Sequence, residues 1–81
     1  MLEVVLPDLG EGIESAFISC WYKEEADEVA QDEDLLEVVT EKSALAIVSP
    51  YQGVVRNILK KENEKVKTGE VLALIEKRES E

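Results

Sequence analysis

The sequence contains no histidine and only one cysteine, Cys20, among its 81 residues. Without histidine, a zinc finger and a Ser-His or Cys-His catalytic pair are excluded, and a single cysteine cannot form a disulfide within the chain. No apolar run approaches the roughly 20 residues of a membrane-spanning helix, and no signal peptide opens the chain. These absences predict a reducing, cytoplasmic location, or the mitochondrial matrix for a domain excised from a eukaryotic precursor.

Basic residues are also scarce, with 9 lysines and arginines against 19 acidic residues and a net charge of −10. Nucleic-acid binding is therefore not expected, because no basic surface is available to neutralise phosphates. Residues 1–55 hold 13 acids and only two bases, Lys23 and Lys42. The acids between Glu24 and Glu41 predict either a solvated face or a surface that attracts basic partner proteins. Residues 32–34 lack the ligand spacing and glycine of a calcium loop, so no metal site is predicted.

The apolar residues, 44% of the chain, are enough for the core of one small domain. They form short clusters rich in valine and isoleucine that turn residues separate, which predicts an all-β sandwich or barrel. The acidic segment 23–34 could be a helix, but its only apolar residues are Ala26, Val29 and Ala30, too few to anchor one on a core. We expect a loop there with a short strand or turn around Val29.

An internal repeat relates residues 18–35 to residues 55–72 at an offset of 37. The shared unit is a strand, a polar turn, a valine, a second polar turn and a strand. One unit cannot bury its apolar face alone, so the repeat predicts two halves that close on each other about a pseudo-twofold axis. Trp21 falls opposite Ile58 and is expected to pack at the core, and the neighbouring Cys20 is expected to be an ordinary strand residue. The identical pairs are Lys23/Lys60, Glu25/Glu62, Val29/Val66, Glu33/Glu70 and Leu35/Leu72.

A β-hairpin is predicted between the halves, with strands over residues 35–40 and 43–48. Tight hairpin loops usually need glycine or asparagine at positive φ, and Glu41 and Lys42 are neither. A type I turn across residues 40–43 suits these residues, because it requires no positive φ. Lys42 is therefore expected at the tip of a protruding turn.

Four segments of the chain form an ordered pattern: residues 6–13 (LPDLGEGI), 18–29 with Trp21 and Asp27, 37–54 with EVVTEKS and Gly53, and 66–75 with TGE. In this order they resemble a lipoyl domain, the carrier domain of the acyltransferase (E2) subunits of 2-oxo acid dehydrogenase complexes. The resemblance covers residues 4–76, so we expect a carrier domain over residues 1–76 and a polar tail or linker start over residues 77–81.

The resemblance implies a flattened β-barrel, or barrel-sandwich hybrid, of two four-stranded antiparallel sheets with quasi-twofold symmetry. It also implies that lipoic acid is attached to Lys42 through an amide bond. A lipoate ligase or lipoyl transferase would attach it, and the arm would then visit the decarboxylase (E1), the acyltransferase (E2) and the dihydrolipoamide dehydrogenase (E3). The domain itself would be a non-catalytic carrier and a monomer.

Further residues take their expected roles from this resemblance. Thr40, Glu41 and Ser43 would position Lys42 and contact the modifying enzyme. The loop Gly10, Glu11, Gly12 and Ile13 would lie near the turn and help the decarboxylase recognise its carrier; its glycines are equally explained as turn residues.

Four positions depart from the family pattern. Glu41 stands where aspartate is common, Ser43 where alanine is common, and Ala26 where glycine is usual. Cys20 stands where a polar strand residue is usual. If the turn at Ala26 needs a positive φ, this alanine costs on the order of 1 kcal/mol. Its repeat partner, Asn63, tolerates that geometry better.

Three other functions remain open on the sequence alone. A biotinyl carrier shares the fold, but that family flanks its lysine with methionines, and the only methionine here is Met1. An unmodified lipoyl-like domain could serve in assembly or docking. A glycine-cleavage carrier would need helical elements that 81 residues do not supply. The 2-oxo acid that such a complex would process is also left open: pyruvate, 2-oxoglutarate, branched-chain acids or acetoin.

Overall fold

The computed structural model describes residues 1–10 and 12–78, and within these residues eight strands form two four-stranded sheets. The strands are β1 (Leu2–Val5), β2 (Ser15–Trp21), β3 (Glu28–Val29), β4 (Asp34–Val39), β5 (Ala44–Val48), β6 (Gly53–Ile58), β7 (Lys65–Lys67) and β8 (Val71–Lys77). One sheet has the order β1-β8-β6-β3, the other has the order β5-β4-β2-β7, and all pairings are antiparallel. The predicted all-β class is confirmed, and so is the short strand around Val29. In this part of the chain no helix is long and apolar enough to cross a membrane.

The core lies between the two sheets and consists of aliphatic side chains. Strand alternation creates it: in β2, for example, Ala16 and Ile18 are buried and Phe17 points outward. Each fully buried aliphatic side chain contributes about 1.5–3 kcal/mol, and this contribution offsets the conformational entropy lost on folding. The largest buried side chains are Leu6, Ile18, Leu35, Leu36, Leu72, Ile75, Val4, Val38, Val55 and Val66.

Equivalent hydrogen bonds join the two halves and confirm the repeat at an offset of 37. The amide of Ile18 donates to the carbonyl of Glu64 (3.0 Å), and the amide of Val55 donates to the carbonyl of Asp27 (2.9 Å). The β-bulges are equivalent as well, at residues 18–20 in β2 and 55–57 in β6. Each half therefore completes the backbone bonding of the other, as the pseudo-twofold prediction requires.

The turn at Ala26 has the positive φ that the sequence analysis considered. Ala26 has φ 79° and its repeat partner Asn63 has φ 72°. Both amides donate across to the opposite half, Ala26 to Val55 (2.6 Å) and Asn63 to Ile18 (2.7 Å). The alanine is thus held in a strained conformation because its amide is needed for the bond between the halves.

Two equivalent ion pairs also repeat. Lys23 Nζ lies 3.0 Å from Glu33 Oε2, and Lys60 Nζ lies 3.2 Å from Glu70 Oε2. Each carboxylate also accepts the backbone N–H three residues earlier in the chain (2.9 and 2.6 Å). These backbone bonds first, and then the lysines, lower the pKa of both glutamates below the ordinary 4.5. Lys23 and Lys60 therefore form ion pairs within the domain.

The carboxyl-terminal strand runs one residue past the boundary expected after residue 76. Lys77 is part of β8 because it pairs with Gly53, and the amide of Arg78 donates to the carbonyl of Gln52 (3.0 Å). The rest of the expected tail, residues 79–81, lies outside the described residues.

Candidate functional site

The turn between β4 and β5 is closed by the side chain of Thr40. Thr40 Oγ1 accepts hydrogen bonds from the amides of Lys42 (3.2 Å) and Ser43 (3.1 Å) and lies 3.1 Å from the Ser43 carbonyl, to which it donates. The Thr40 amide adds a bond to the same carbonyl (2.8 Å). None of residues 40–43 has a positive φ, as expected for this turn. Four hydrogen bonds within four residues fix the backbone from which the Lys42 side chain projects.

Lys42 is exposed at the tip of this turn. The ion pairs of the described residues involve Lys23, Arg56 and Lys60, and none includes Lys42. Among the described residues, no carboxylate therefore holds its amine in the way that Glu33 and Glu70 hold Lys23 and Lys60. An exposed amine on a fixed backbone fits attachment of a carboxylic acid through an amide bond.

The three neighbours of Lys42 differ in exposure. Glu41 and Ser43 are exposed, whereas only 9% of Thr40 is accessible. The hydroxyl of Thr40 is turned inward to the turn backbone, which is consistent with its expected role in positioning Lys42. Its expected contact with a modifying enzyme stays a prediction.

The loop that leads into β2 joins the sheet at the same end as the turn. Phe17 pairs with Val39, so Ser15, where β2 begins, lies at the end of the sheet at which residues 40–43 connect β4 to β5. Gly10 and Gly12 have φ 123° and 80°, which favour glycine, and the Gly10 carbonyl accepts the amide of Ile13 (3.2 Å). Glu11 lies outside the described residues.

An exposed apolar row crosses the outer face of this sheet next to the turn. The register places Lys65, Phe17, Val39 and Ala44 side by side on β7, β2, β4 and β5. Phe17 is 54% exposed and Val39 is 39% exposed. Phe17 is not among the residues predicted from the sequence to have a functional role. The alternation of β2 could have identified it as an outward-facing residue, because Ala16 and Ile18 on either side point inward.

Trp21 and Cys20 have the structural roles expected of them. Trp21 packs against the core, and its Nε1 donates to the Lys60 carbonyl (2.9 Å). Cys20 is partly buried opposite Glu37. The pKa of the nearby Tyr22 hydroxyl is raised by desolvation first, then by Glu37, and by its bond to Cys20.

Comparison with known proteins places this geometry in a family. The family model described as "Biotin-requiring enzyme" matches residues 2–75. The chain belongs to the biotinyl and lipoyl carrier family.

Within this family the relatives are lipoyl proteins. The dihydrolipoyllysine-residue succinyltransferase component of the 2-oxoglutarate dehydrogenase complex of Rickettsia bellii is 39% identical over 79 residues, which are 98% of this chain and 20% of the relative. The acetyltransferase component of the pyruvate dehydrogenase complex of Corynebacterium glutamicum is 42% identical over 89% of this chain and 11% of the relative. This lipoyl domain thus spans a fifth or less of these two relatives.

A solved structure supports the same assignment. The lipoyl domain of the 2-oxoglutarate dehydrogenase complex from Azotobacter vinelandii has a TM-score of 0.76 with this chain at 25% identity, covering 95% of this chain and 98% of its own. The chain is therefore a lipoyl domain of the kind found in acyltransferase subunits of 2-oxo acid dehydrogenase complexes, and the lipoyl assignment is favoured over the biotinyl alternative.

Proposed function

We propose that Lys42 carries lipoic acid through an amide bond and that this domain moves acyl groups between the active sites of a 2-oxo acid dehydrogenase complex. The observation that carries the proposal is the turn: Lys42 is exposed, outside the ion pairs of the described residues, and projects from a backbone that Thr40 fixes. The attached group supplies a redox-active dithiolane that accepts and releases acyl groups. The chain supplies the anchor, the position and the recognition surface.

The contribution of the domain to transfer is a high local concentration of the carrier. A group tethered to a flexible arm is present at millimolar effective concentration at each site that the arm can reach. The fixed turn keeps the anchor point of this arm constant while the side chain beyond it remains mobile. Amide formation also removes one positive charge, so the net charge changes from −10 to −11.

The proposed partners follow from this role. A lipoate ligase or lipoyl transferase would recognise Glu41 and Ser43, which are exposed on both sides of Lys42. The decarboxylase (E1) would contact the loop with Gly10, Gly12 and Ile13, which enters the sheet beside the turn. The acyltransferase (E2) and the dihydrolipoamide dehydrogenase (E3) would complete the cycle. The domain would act as a monomer.

The proposal is tested by incubating the domain with lipoate, ATP and a lipoate ligase, and with biotin and a biotin ligase in parallel. We expect one lipoyl increment in the intact mass, located on Lys42 by peptide mapping, although the chain has seven lysines. Addition of a decarboxylase with pyruvate or 2-oxoglutarate then reads out the acyl group from the next mass increment. Modification by the biotin ligase alone, or an increment spread over several lysines, would contradict the proposal.

Thr40 is expected to determine how well Lys42 is presented. Thr40→Val keeps the volume but removes the hydroxyl, so we expect a loss of about 1–2 kcal/mol in the free energy of unfolding. The lipoylation rate should fall at least about tenfold, because a small displacement of a reacting group is costly. Urea unfolding and time-resolved intact mass measure the two effects. Thr40→Ser retains Oγ1, so its stability and lipoylation rate should stay close to those of the wild-type domain. Equal lipoylation rates for the two variants would refute a positioning role for the Thr40 hydroxyl.

A further inference from the structure

The apolar row beside the turn, defined as Phe17, Val39 and Ala44, is continuous with the anchor of the arm. Its members are cross-strand neighbours, whose Cβ atoms lie roughly 5 Å apart. Phe17 is a large aromatic side chain, yet 54% of it is exposed. Ala16 and Ile18 fill the inward positions of β2, so this aromatic ring contributes little to the core.

A cavity of about 340 Å³ joins the row to the turn. Its lining includes Phe17 and Val39 and also Thr40 and Glu41, the two residues that directly precede Lys42. This volume lies at the lower end of the range of about 300–1,000 Å³ for small-molecule sites. Ser15, Ala16 and Lys65 complete the lining, so the cavity combines the apolar side chains of Phe17 and Val39 with two charged residues, Glu41 and Lys65.

We propose that the apolar row is a resting site for the lipoyl group carried by Lys42 of the same domain. The inference rests on the proposed function, because it requires the arm to be attached. The occupant fits in chemistry: the dithiolane ring and its hydrocarbon chain are uncharged and apolar, as is the Phe17–Val39 surface.

The position of the row fits the reach of the arm. Val39 is the last residue of β4 and lies three residues before Lys42, a separation of at most about 10 Å. Phe17 lies on the adjacent strand, about 5 Å to the side. A lysine side chain extended by the lipoyl chain spans this separation. Tethering makes the encounter intramolecular, so even a shallow apolar surface is visited often.

The docked state must be weak for the carrier to work. Covering Phe17 and Val39 removes apolar surface from water, while fixing the many rotatable bonds of the arm opposes docking. Docked and released arms are therefore both populated. While docked, the dithiolane is shielded from reagents in solution, and a partner enzyme draws the arm away by offering a deeper site.

The test compares the domain before and after lipoylation, with the increment on Lys42 first verified by intact mass. We expect lipoylation to shift the ring resonances of Phe17 and the methyl resonances of Val39, with nuclear Overhauser contacts between the ring and the dithiolane. Phe17→Ser should abolish the contacts. Leu59→Ser is the matched control, because Leu59 is similarly exposed at 48% but directly follows β6, a strand of the other sheet.

A second measurement follows the alkylation rate of the reduced arm. If about half of the arms are docked, Phe17→Ser should raise this rate roughly twofold and Leu59→Ser should leave it unchanged. Val39→Thr provides an independent variant should Phe17→Ser disturb the amide spectrum. A lipoylated domain without contacts to the row, or with equal alkylation rates in all variants, overturns this inference alone. Absence of the mass increment would overturn the proposed function together with it.

Discussion

The double variant Glu41→Lys/Lys42→Glu is expected to be lipoylated at least about 100-fold more slowly than the wild-type domain, although the two have the same composition and net charge. Adjacent Cα atoms are about 3.8 Å apart, and successive side chains in the turn point in different directions. The amide of Lys42 is held by Thr40 Oγ1 at 3.2 Å, so position 42 is fixed relative to both strands. Moving the lysine by one residue therefore displaces the amine from the position at which it would enter the active site of a lipoate ligase.

Time-resolved intact mass with a lipoate ligase measures this effect, and an amide spectrum verifies the fold. Lys42→Gln gives the baseline, because it should gain no lipoyl group. It should melt at the same temperature as the wild-type domain, because the side chain at position 42 is exposed. If the double variant were lipoylated at a rate within tenfold of the wild-type rate, the position of the lysine in the turn would not define the site.

Much of this fold could be predicted from the sequence because the same local pattern occurs twice. The repeat at an offset of 37 predicted two halves that close on each other, and the equivalent hydrogen bonds from Ile18 to Glu64 and from Val55 to Asp27 join them. Ala26 stood out because the family usually has glycine there, and both Ala26 and its repeat partner Asn63 have positive φ. Two copies of a turn constrain its geometry better than one.

The arrangement of the sheets came from the family resemblance, and alternation alone does not contain it. A strand of two residues such as β3 has no periodicity, and its place beside β6 depends on contacts with Gly53 and Val54. The exposed position of Lys42 was predictable because its turn is local, with four residues between two clear strands. The carrier assignment, in contrast, depends on the whole ordered pattern of segments.

The details of the site that local sequence does not contain are those that depend on strand register. The hydroxyl of Thr40 turns inward because the β4–β5 pairing brings the Ser43 carbonyl beside it. The row of Phe17, Val39 and Ala44 belongs to three strands and exists only once their pairing is known. Local sequence indicates which side chains leave a strand outward, and the register decides which of them meet.

Among the four glycines of this domain, Gly53 is the one at which substitution by alanine is expected to cause the largest loss of stability. A Cβ at Gly53 would overlap the Glu76 carbonyl oxygen and would lie 2.9 Å from Ile75 Cγ2. The first contact is with backbone, which cannot rotate away as a flexible side chain could. Gly53 also pairs with both Val29 and Lys77, so the new methyl group would push β6 and β8 apart where β3 joins the sheet.

We expect a decrease of about 3 kcal/mol or more in the free energy of unfolding, at or above the upper end of the usual cost of overpacking. A domain of this length has a total stability of roughly 4–12 kcal/mol, so a large part would be lost. Urea unfolding measures the change. Gly69→Ala is the matched control, because Gly69 has φ 90° but no atom within 4 Å of an added Cβ. That variant bears only the backbone strain, which Ala26 already sustains in this fold. If Gly53→Ala were no less stable than Gly69→Ala, close contact between β6 and β8 could not be the reason for glycine at this position.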